Sequence, residues 1–431
     1  MVVSSTKPKW DLVKLGQLFK IKHGFAFKGE YFVSKGKFLL LTPGNFKTDG
    51  GIKIEDEQKY YDGQFPEEFL LKKGDLLVVM TDLIQDAPIL GSPAFIPEDG
   101  KYLHNQRLGK IVDVKTDLVD ITFLYYLFNR YEIRAQIKGS ATGTTVKHTA
   151  PERIYAVKTC LPPLPVQSKI ASILSAYDDL IENNTRRIKI LEEMAQRIYR
   201  EWFVDFRFPG HKKAEMVDSE LGKIPEGWEA KPIGEVVDIL GGGTPSTKIP
   251  EYWENGDINW YTPSDLTANK AMFISDSSNK ITRVGLKHSS AKLFPSYCVM
   301  MTSRATIGVT SINTQEACTN QGFIICIPNK KASIYQIYFW IDQNKELIDA
   351  IASGATYKEI GRSEFRSLLI PVATSDVNSR FIEIVEPIEK QIEVLLRKKS
   401  NLRQTRDLLL PKFISGEFDV TNVDIDTNRS A

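Results

Sequence analysis

Histidine and cysteine are scarce in this chain, and that scarcity removes most catalytic chemistry. The five histidines, His23, His104, His148, His211 and His288, show no metal-ligand spacing and support no Ser-His-Asp constellation. The four cysteines, Cys160, Cys298, Cys318 and Cys326, are isolated in apolar surroundings, which argues for buried, inert thiols and against a disulfide framework or zinc knuckle. No run approaches the ~18 to 20 apolar residues of a membrane helix. Met1 to Trp10 is polar and lacks a signal-peptide apolar region, so a cytoplasmic location is expected. Net charge is equally undistinguished. With 56 basic and 54 acidic side chains the chain carries +2; residues 1–165 carry +4 and residues 228–371 carry none. A nucleic-acid reader usually shows a basic excess within its domain, so any such affinity must be locally arranged or shared with a partner. Gly241 to Gly243 in GGGTPSTK lack the Gly-Lys-Ser/Thr ending of a phosphate loop. The single Pro-Pro pair, Pro162-Pro163, lies in LPPLP and not in the Asn/Asp-Pro-Pro-aromatic tetrapeptide with which an adenine methyltransferase holds its base. No active site is expected in this chain.

What the chain does contain is one unit written twice. Leu174, Ile181, Ile188, Ala195 and Trp202 recur every seven residues, with Ile170, Tyr177, Leu191 and Ile198 interleaved. Phe381, Ile388, Leu395, Leu402 and Leu409 repeat that seam, with Val385 and Ile392 on the second position. Heptads of this kind let two long helices pack on one another. Upstream of each helix the pairs stay in order: Trp10 to Gly16 (WDLVKLG) with Trp228 to Gly234 (WEAKPIG), Thr42-Pro43 with Thr262-Pro263, Met80-Thr81 with Met301-Thr302, Asn105-Gln106 with Asn320-Gln321, and Ser140-Ala141-Thr142 with Gly354-Ala355-Thr356. The architecture is globule, helix, globule, helix. At 431 residues, 42% hydrophobic and 26% charged, each half can bury its own core.

Both globules read as α+β. In the first, Phe38 to Leu41, Leu76 to Met80, Ile111 to Val114 and Val157 to Leu161 are expected strands, and Ile121 to Ile137 an expected helix. In the second the strands are Val236 to Leu240, Ile258 to Tyr261, Cys298 to Met301, Phe323 to Ile327 and Leu368 to Ile370, and the helix is Ile334 to Ala352. LPPLP ends the first globule and launches the long helix near Val166. Pro387 predicts a short helix from about Ser379 and then a kink or fresh start. Pro209 to Gly227 reads as an exposed linker, and the tail after Val420 as frayed.

Four segments carry a family likeness. Leu161 to Asn184 (LPPLPVQSKIASILSAYDDLIENN), Arg200 to Phe206 (REWFVDF), Asp218 to Val236 (DSELGKIPEGWEAKPIGEV) and Arg406 to Val420 (RDLLLPKFISGEFDV) closely resemble the specificity subunit of Type I restriction-modification enzymes, over essentially the whole chain. GGGTPST, WYTPSDL, SRATIG and NQGF look like motifs of a common target-recognition-domain type; GFAFKGEYF, GDLLVVMT and NQRLG resemble the same type without its TPS signature. The resemblance implies a non-catalytic reader of double-stranded DNA. Each of two similar target recognition globules would take one half of a bipartite site. Two long helices, packed as an antiparallel coiled coil about a pseudo-two-fold repeat, would separate them. Two methyltransferase subunits and restriction/translocase subunits would dock on the chain, and S-adenosylmethionine, ATP and Mg would belong to those partners, with no cofactor here. The implied domains are 1–162 (first recognition domain), 163–208 (central spacer helix), 209–372 (second recognition domain, with 209–227 as linker), 373–420 (C-terminal spacer helix) and 421–431 (tail). The alternative is a coiled-coil scaffold without DNA specificity, which would not require two globules sharing a ground plan while differing in their polar loops.

Base readout is expected in polar loops at corresponding places: Lys22, His23, Lys28, Asn45, Lys47, Arg107, Ser140, Thr142, Thr144, Thr145 and Lys147 in the first domain, and Thr244, Ser246, Thr247, Lys248, Ser264, Ser303, Arg304, Thr356, Tyr357 and Lys358 in the second. These types supply donors and acceptors for base edges and phosphates. The aromatic helix ends suggest partner contacts through Tyr199, Phe203, Phe206, Ile414 and Phe418, with Trp202 and Phe413 closing the helix pair. Asn184, Lys399 and Arg406 interrupt the apolar seam, where a polar residue sets register. A first helix of ~38 residues, roughly 57 Å long, would serve as a ruler between the readers.

Overall fold

The computed structural model describes residues 10–54, 58–329, 332–354 and 358–424. The chain divides into two compact units: Asn183–Lys399, and the residues on either side of it.

In the first unit Lys20–His23, Leu108–Val112, Leu76–Val79 and Pro93–Phe95 form, in that spatial order, an antiparallel sheet. Leu76–Val79 is an unbroken apolar run because both its faces are covered. A second sheet sets Phe38–Leu41 parallel to Tyr102–His104, and Asp11–Lys14 pairs with Lys158–Leu161 to close the globule. The expected single helix is two, Ile121–Phe128 and Tyr131–Gly139. Asp120 caps the first by accepting from the backbone N–H groups of Thr122 (2.8 Å) and Phe123 (2.9 Å). Arg130, with extended backbone, breaks the run.

The second unit repeats this order with one strand added: Val237–Gly241, Phe323–Pro328, Val299–Thr302, Thr310–Asn313 and Phe273–Ile274. Ile258–Tyr261 lies parallel to Ala317–Thr319, and Glu229–Pro232 pairs with Leu369–Val372. Its helix too is divided, into Ile334–Gln343 and Lys345–Ile351, because Asn344 turns its side-chain amide onto the carbonyl of Trp340 (2.8 Å). The residues expected as exposed linker include the hairpin Met216–Ser219 with Gly222–Pro225, and both Ile224 and Pro225 are buried. Of the four thiols, Cys160 is exposed; the other three are buried, and burial pushes Cys298 and Cys318 up to about 12, which keeps them protonated and inert.

Two long helices run over Leu164–Tyr199 and Ser375–Ile414. Pro165 occupies the first turn of the former, where its missing N–H has no intrahelical partner to lose. Contrary to expectation, Pro387 neither starts nor divides the latter; it sits on the exposed face, where water can take the carbonyl it leaves free. In the first unit Arg406 Nη1 bonds Asp178 Oδ1 (2.5 Å) and Lys169 Nζ bonds the carbonyl of Thr421 (2.6 Å), so residues early in one helix meet residues late in, or just after, the other. The tail as far as Val423 packs on this unit's core instead of fraying. In the second unit Trp202 and Phe203 pack on Phe381 with ring centroids 5.8 and 4.8 Å apart, and a π-helical turn, Arg200–Val204, tilts them there. Asn184 is buried and Lys399 half-buried.

Candidate nucleic-acid interface

Each unit ends its main sheet in a rim. In the first, His23 closes one strand, Leu108 opens the next and Val79 ends the third, all at one end of the sheet. The chain leaving His23 crosses the 104–107 loop so closely that a Cβ on Gly24 would lie 2.1 Å from the carbonyl oxygen of Asn105. Only glycine fits. Phe25 N–H then donates to the carbonyl of His104 (2.8 Å), and Asn105 Oδ1 accepts from the N–H of Arg107 (2.9 Å), an Asx turn that holds Arg107 outward. The second unit solves the same problem identically. A Cβ on Gly242 would lie 2.0 Å from the carbonyl oxygen of Asn320, Gly243 N–H donates to Thr319 O (2.8 Å), and Asn320 Oδ1 accepts from Gly322 N–H (2.9 Å).

A further strand end completes each rim. Thr81–Asp82 pairs with Lys147–His148, and Thr81 Oγ1 lies 3.0 Å from His148 Nδ1. In the second unit Ser303 accepts from Ile360 N–H (3.0 Å), and Arg304 bridges to Glu359. The two Thr-Pro pairs open short helical turns with the same capping box: Asn45 Oδ1 accepts from Thr42 N (2.9 Å), Asp265 Oδ2 from Thr262 N (2.7 Å).

These contacts sort the expected readers. His23, Lys28, Lys47, Arg107, Thr142, Thr144 and Thr145 are exposed in the first unit, and Lys22, Ser140 and Lys147 half-exposed. In the second, Ser246, Thr247, Lys248, Ser264, Arg304 and Lys358 are exposed and Thr244 half-exposed, bonding Gln321 Oε1 at 2.7 Å. Thr356 and Tyr357 lie outside the described residues. Two expectations fail. Asn45 is buried, spent on its cap and on Gln58 (2.7 Å), and Ser303 is buried beneath the rim it helps to build. Ser140 Oγ is also occupied, by the carbonyl of Ile137 (3.0 Å) at a helix end. Several cations are already paired: Lys22 with Glu68 (2.7 Å), Arg304 with Glu359 (2.6 Å) and Lys358 with Asp349 (2.6 Å). Surface pairs are worth ~0 to 1 kcal/mol, so a phosphate can outcompete the carboxylate.

Beneath the first rim, His104 donates Nε2–H to Leu108 O (2.9 Å), and burial pushes it down to about 4, so it stays neutral. Sequence reasoning passed over Asn105, Asn320 and His148 as site builders, although their recurrence in the ordered pairs or their place beside Lys147 was visible. It also missed Leu83 and Ile84, two exposed aliphatics at the rim. Of the expected partner contacts, Tyr199, Phe203 and Ile414 prove to be core residues: each closes its own unit, Tyr199 and Phe203 by stacking at 5.2 Å. Phe206 and Phe418 remain half-buried, beside Trp228 (5.5 Å) and Phe413 (6.2 Å). Among the described residues no group of three His, Cys, Asp or Glu could hold a metal ion, and no helix is long and apolar enough to cross a membrane.

This is a protein built from one α+β globule used twice, each copy ending its main sheet in a glycine-crossed polar rim. The chain belongs to the Type I restriction modification DNA specificity domain family, whose profile matches residues 7–193 and 225–404. It is 34% identical over 204 residues to the Type I restriction enzyme MjaIX specificity subunit of Methanocaldococcus jannaschii, covering 45% of this chain and 46% of that one, so it spans about half the length of that relative. It is 24% identical over 411 residues to the HindI specificity subunit of Haemophilus influenzae, covering 80% and 87%. The crystal structure of the Type I restriction-modification S subunit from M. genitalium superposes with a TM-score of 0.60 at 16% identity, covering 96% of this chain and 98% of that one, which supports the fold alone.

Proposed function

We propose that this chain is the specificity subunit of a Type I restriction-modification complex, in which each rim reads one half of a bipartite double-stranded DNA target. The observation that carries this reading is the duplicated rim. The same frame, with Gly24 and Gly242 crossing Asn105 and Asn320, presents different side chains in the two units. Backbone constraints fix the platform, and the exposed donors and acceptors on it are free to differ, as reading two unlike half-sites requires. Phosphates usually dominate DNA affinity, and the modest charge fits a chain that shares them with methyltransferase subunits. Those subunits dock around Phe206 and Phe418, restriction/translocase subunits join them, and S-adenosylmethionine, ATP and Mg work in the partners, in the cytoplasm. The chain itself is non-catalytic. Co-expression with methyltransferase subunits in a methylation-free host, followed by methylome sequencing, tests the reading. A bipartite methylated motif that appears only with this chain supports it; methylation independent of the chain refutes it and favours a scaffold.

A further inference from the structure

One feature of the first rim is chemically out of place. Leu83 and Ile84 stand at the tip of the loop that follows Thr81–Asp82, 55% and 57% exposed. The loop does not let them turn inward. Asp82, itself 1% exposed, accepts from the N–H of Ile84 (3.0 Å) and of Ile89 (2.8 Å), pinning both ends of the excursion. Ala87 N–H donates to the carbonyl of Ile84 (2.9 Å) with Ala87 in the left-handed region, and Lys138 Nζ reaches the carbonyl of Asp86 (3.3 Å). Two adjacent large aliphatics are thereby held rigidly in water, which is unfavourable unless something covers them.

Their surroundings say what does. The strand paired beside them is Lys147–His148, the exposed Thr142, Thr144 and Thr145 precede it, and Arg107 is held outward on the neighbouring loop. A protein partner's apolar face would have to desolvate these polar groups, whereas a DNA duplex offers phosphates to the cations and an apolar surface within the base stack. The framework does not demand the pair: at the same point of the second rim, after Met301-Thr302, stand Ser303, Arg304 and Ala305.

We infer that Leu83 and Ile84 form an apolar wedge that enters a base step of the half-site read by the first unit, and that the second unit reads its half without one. Aliphatic side chains unstack a step when the element carrying them is too stiff to fold back, which the Asp82 clamp ensures. The inference rests on the proposed DNA-reading function and adds the mode of contact.

The test uses the whole complex with methyltransferase subunits and duplexes carrying 2-aminopurine at successive positions of both half-sites. The first unit's half is assigned by the loss of discrimination in Arg107→Ala/Lys147→Ala. A base flipped by a methyltransferase brightens too, so the readout is the difference between wild type and Leu83→Ser/Ile84→Ser, whose exposed positions leave folding intact. Brightening at one step of the first half-site that the variant abolishes, with cognate affinity down by about 10-fold, is expected. Ile84→Val alone should retain the signal. Identical profiles in wild type and variant overturn the wedge while leaving the readers standing. So does a variant-sensitive loss on replacing a thymine by deoxyuridine without any unstacking, which would mean a methyl contact. Failure of the wild-type complex to prefer any bipartite site overturns the DNA-reading proposal itself.

Discussion

The two units agree where sterics and caps dictate and part company where side chains face water or the helix seam. Sheet order, the closing strand pairs, the parallel pair beneath each Thr-Pro turn and the Asn-held loops are the same in both. The seams are not. In the first unit Tyr126, Asp178, Arg406 and Asp407 form one hydrogen-bonded chain, with Arg406 also 3.6 Å from Asp49. In the second, Glu389 is buried with neither carboxylate oxygen hydrogen-bonded among the described residues, and burial, helped by Glu192, pushes it up to about 8. Frame residues, the crossing glycines, the Thr-Pro caps and the loop asparagines, are therefore interchangeable in role between the units, and the polar residues of the helix seam are not.

The strongest way to break this comparison is at the frame. Gly24→Ala or Gly242→Ala drives a methyl into a backbone carbonyl and should cost about 3 kcal/mol in its own unit. Denaturant unfolding should show one transition shifted, and an alanine tolerated at either crossing would mean the rims are not built alike. Next comes Arg406→Met, which leaves the half-buried Asp178 without its counter-charge. A loss of about 2 to 3 kcal/mol is expected, and restoring it with Asp178→Asn in the same chain would show that the pairing sets the effect.

Two smaller effects have opposite signs with pH. His104 in the first unit is held below its ordinary 6.5, at about 4, so the unfolded chain binds a proton the folded one refuses, and stability falls as pH drops from about 6.5 to 4. Glu389 in the second unit is held above its ordinary 4.5, so the folded chain keeps a proton the unfolded one releases, and stability falls as pH rises from about 4.5 to 8. Glu389→Met should stabilise by about 2 kcal/mol at pH 8 and progressively less toward pH 5; melting curves with no pH dependence in that gain would contradict a buried neutral carboxyl. The smallest effect belongs to the surface pairs. Arg304→Ala and Lys358→Ala should change stability by under about 0.5 kcal/mol yet weaken cognate binding by the complete complex. Unchanged affinity for both would remove the second rim from the reading face.

Much of the frame was legible in the sequence because it rests on residues with few substitutes: the ordered Trp, Thr-Pro, Asn-Gln and Met-Thr pairs and the heptads mark the strand ends and helices the structure contains. What was not legible depended on long-range context. Asn45 reads as a loop amide, and only the fold shows it spent on Thr42 and Gln58. Pro387 reads as a break, and only its solvent-facing side makes it tolerable. Tyr199 and Phe203 read as surplus aromatics until Phe381 and Trp228 arrive beside them. Leu83 and Ile84 drew no reading from the sequence, and only the Asp82 clamp shows them turned out.

The most direct test of two rims reading independently is to blunt one at a time. Methylome sequencing of hosts carrying the complex with Arg107→Ala/Lys147→Ala, or with Ser246→Ala/Lys248→Ala, should return a bipartite motif in which only one half has become degenerate, a different half in each case. Degeneracy of both halves from either substitution pair, or a motif that changes in neither, would contradict the account.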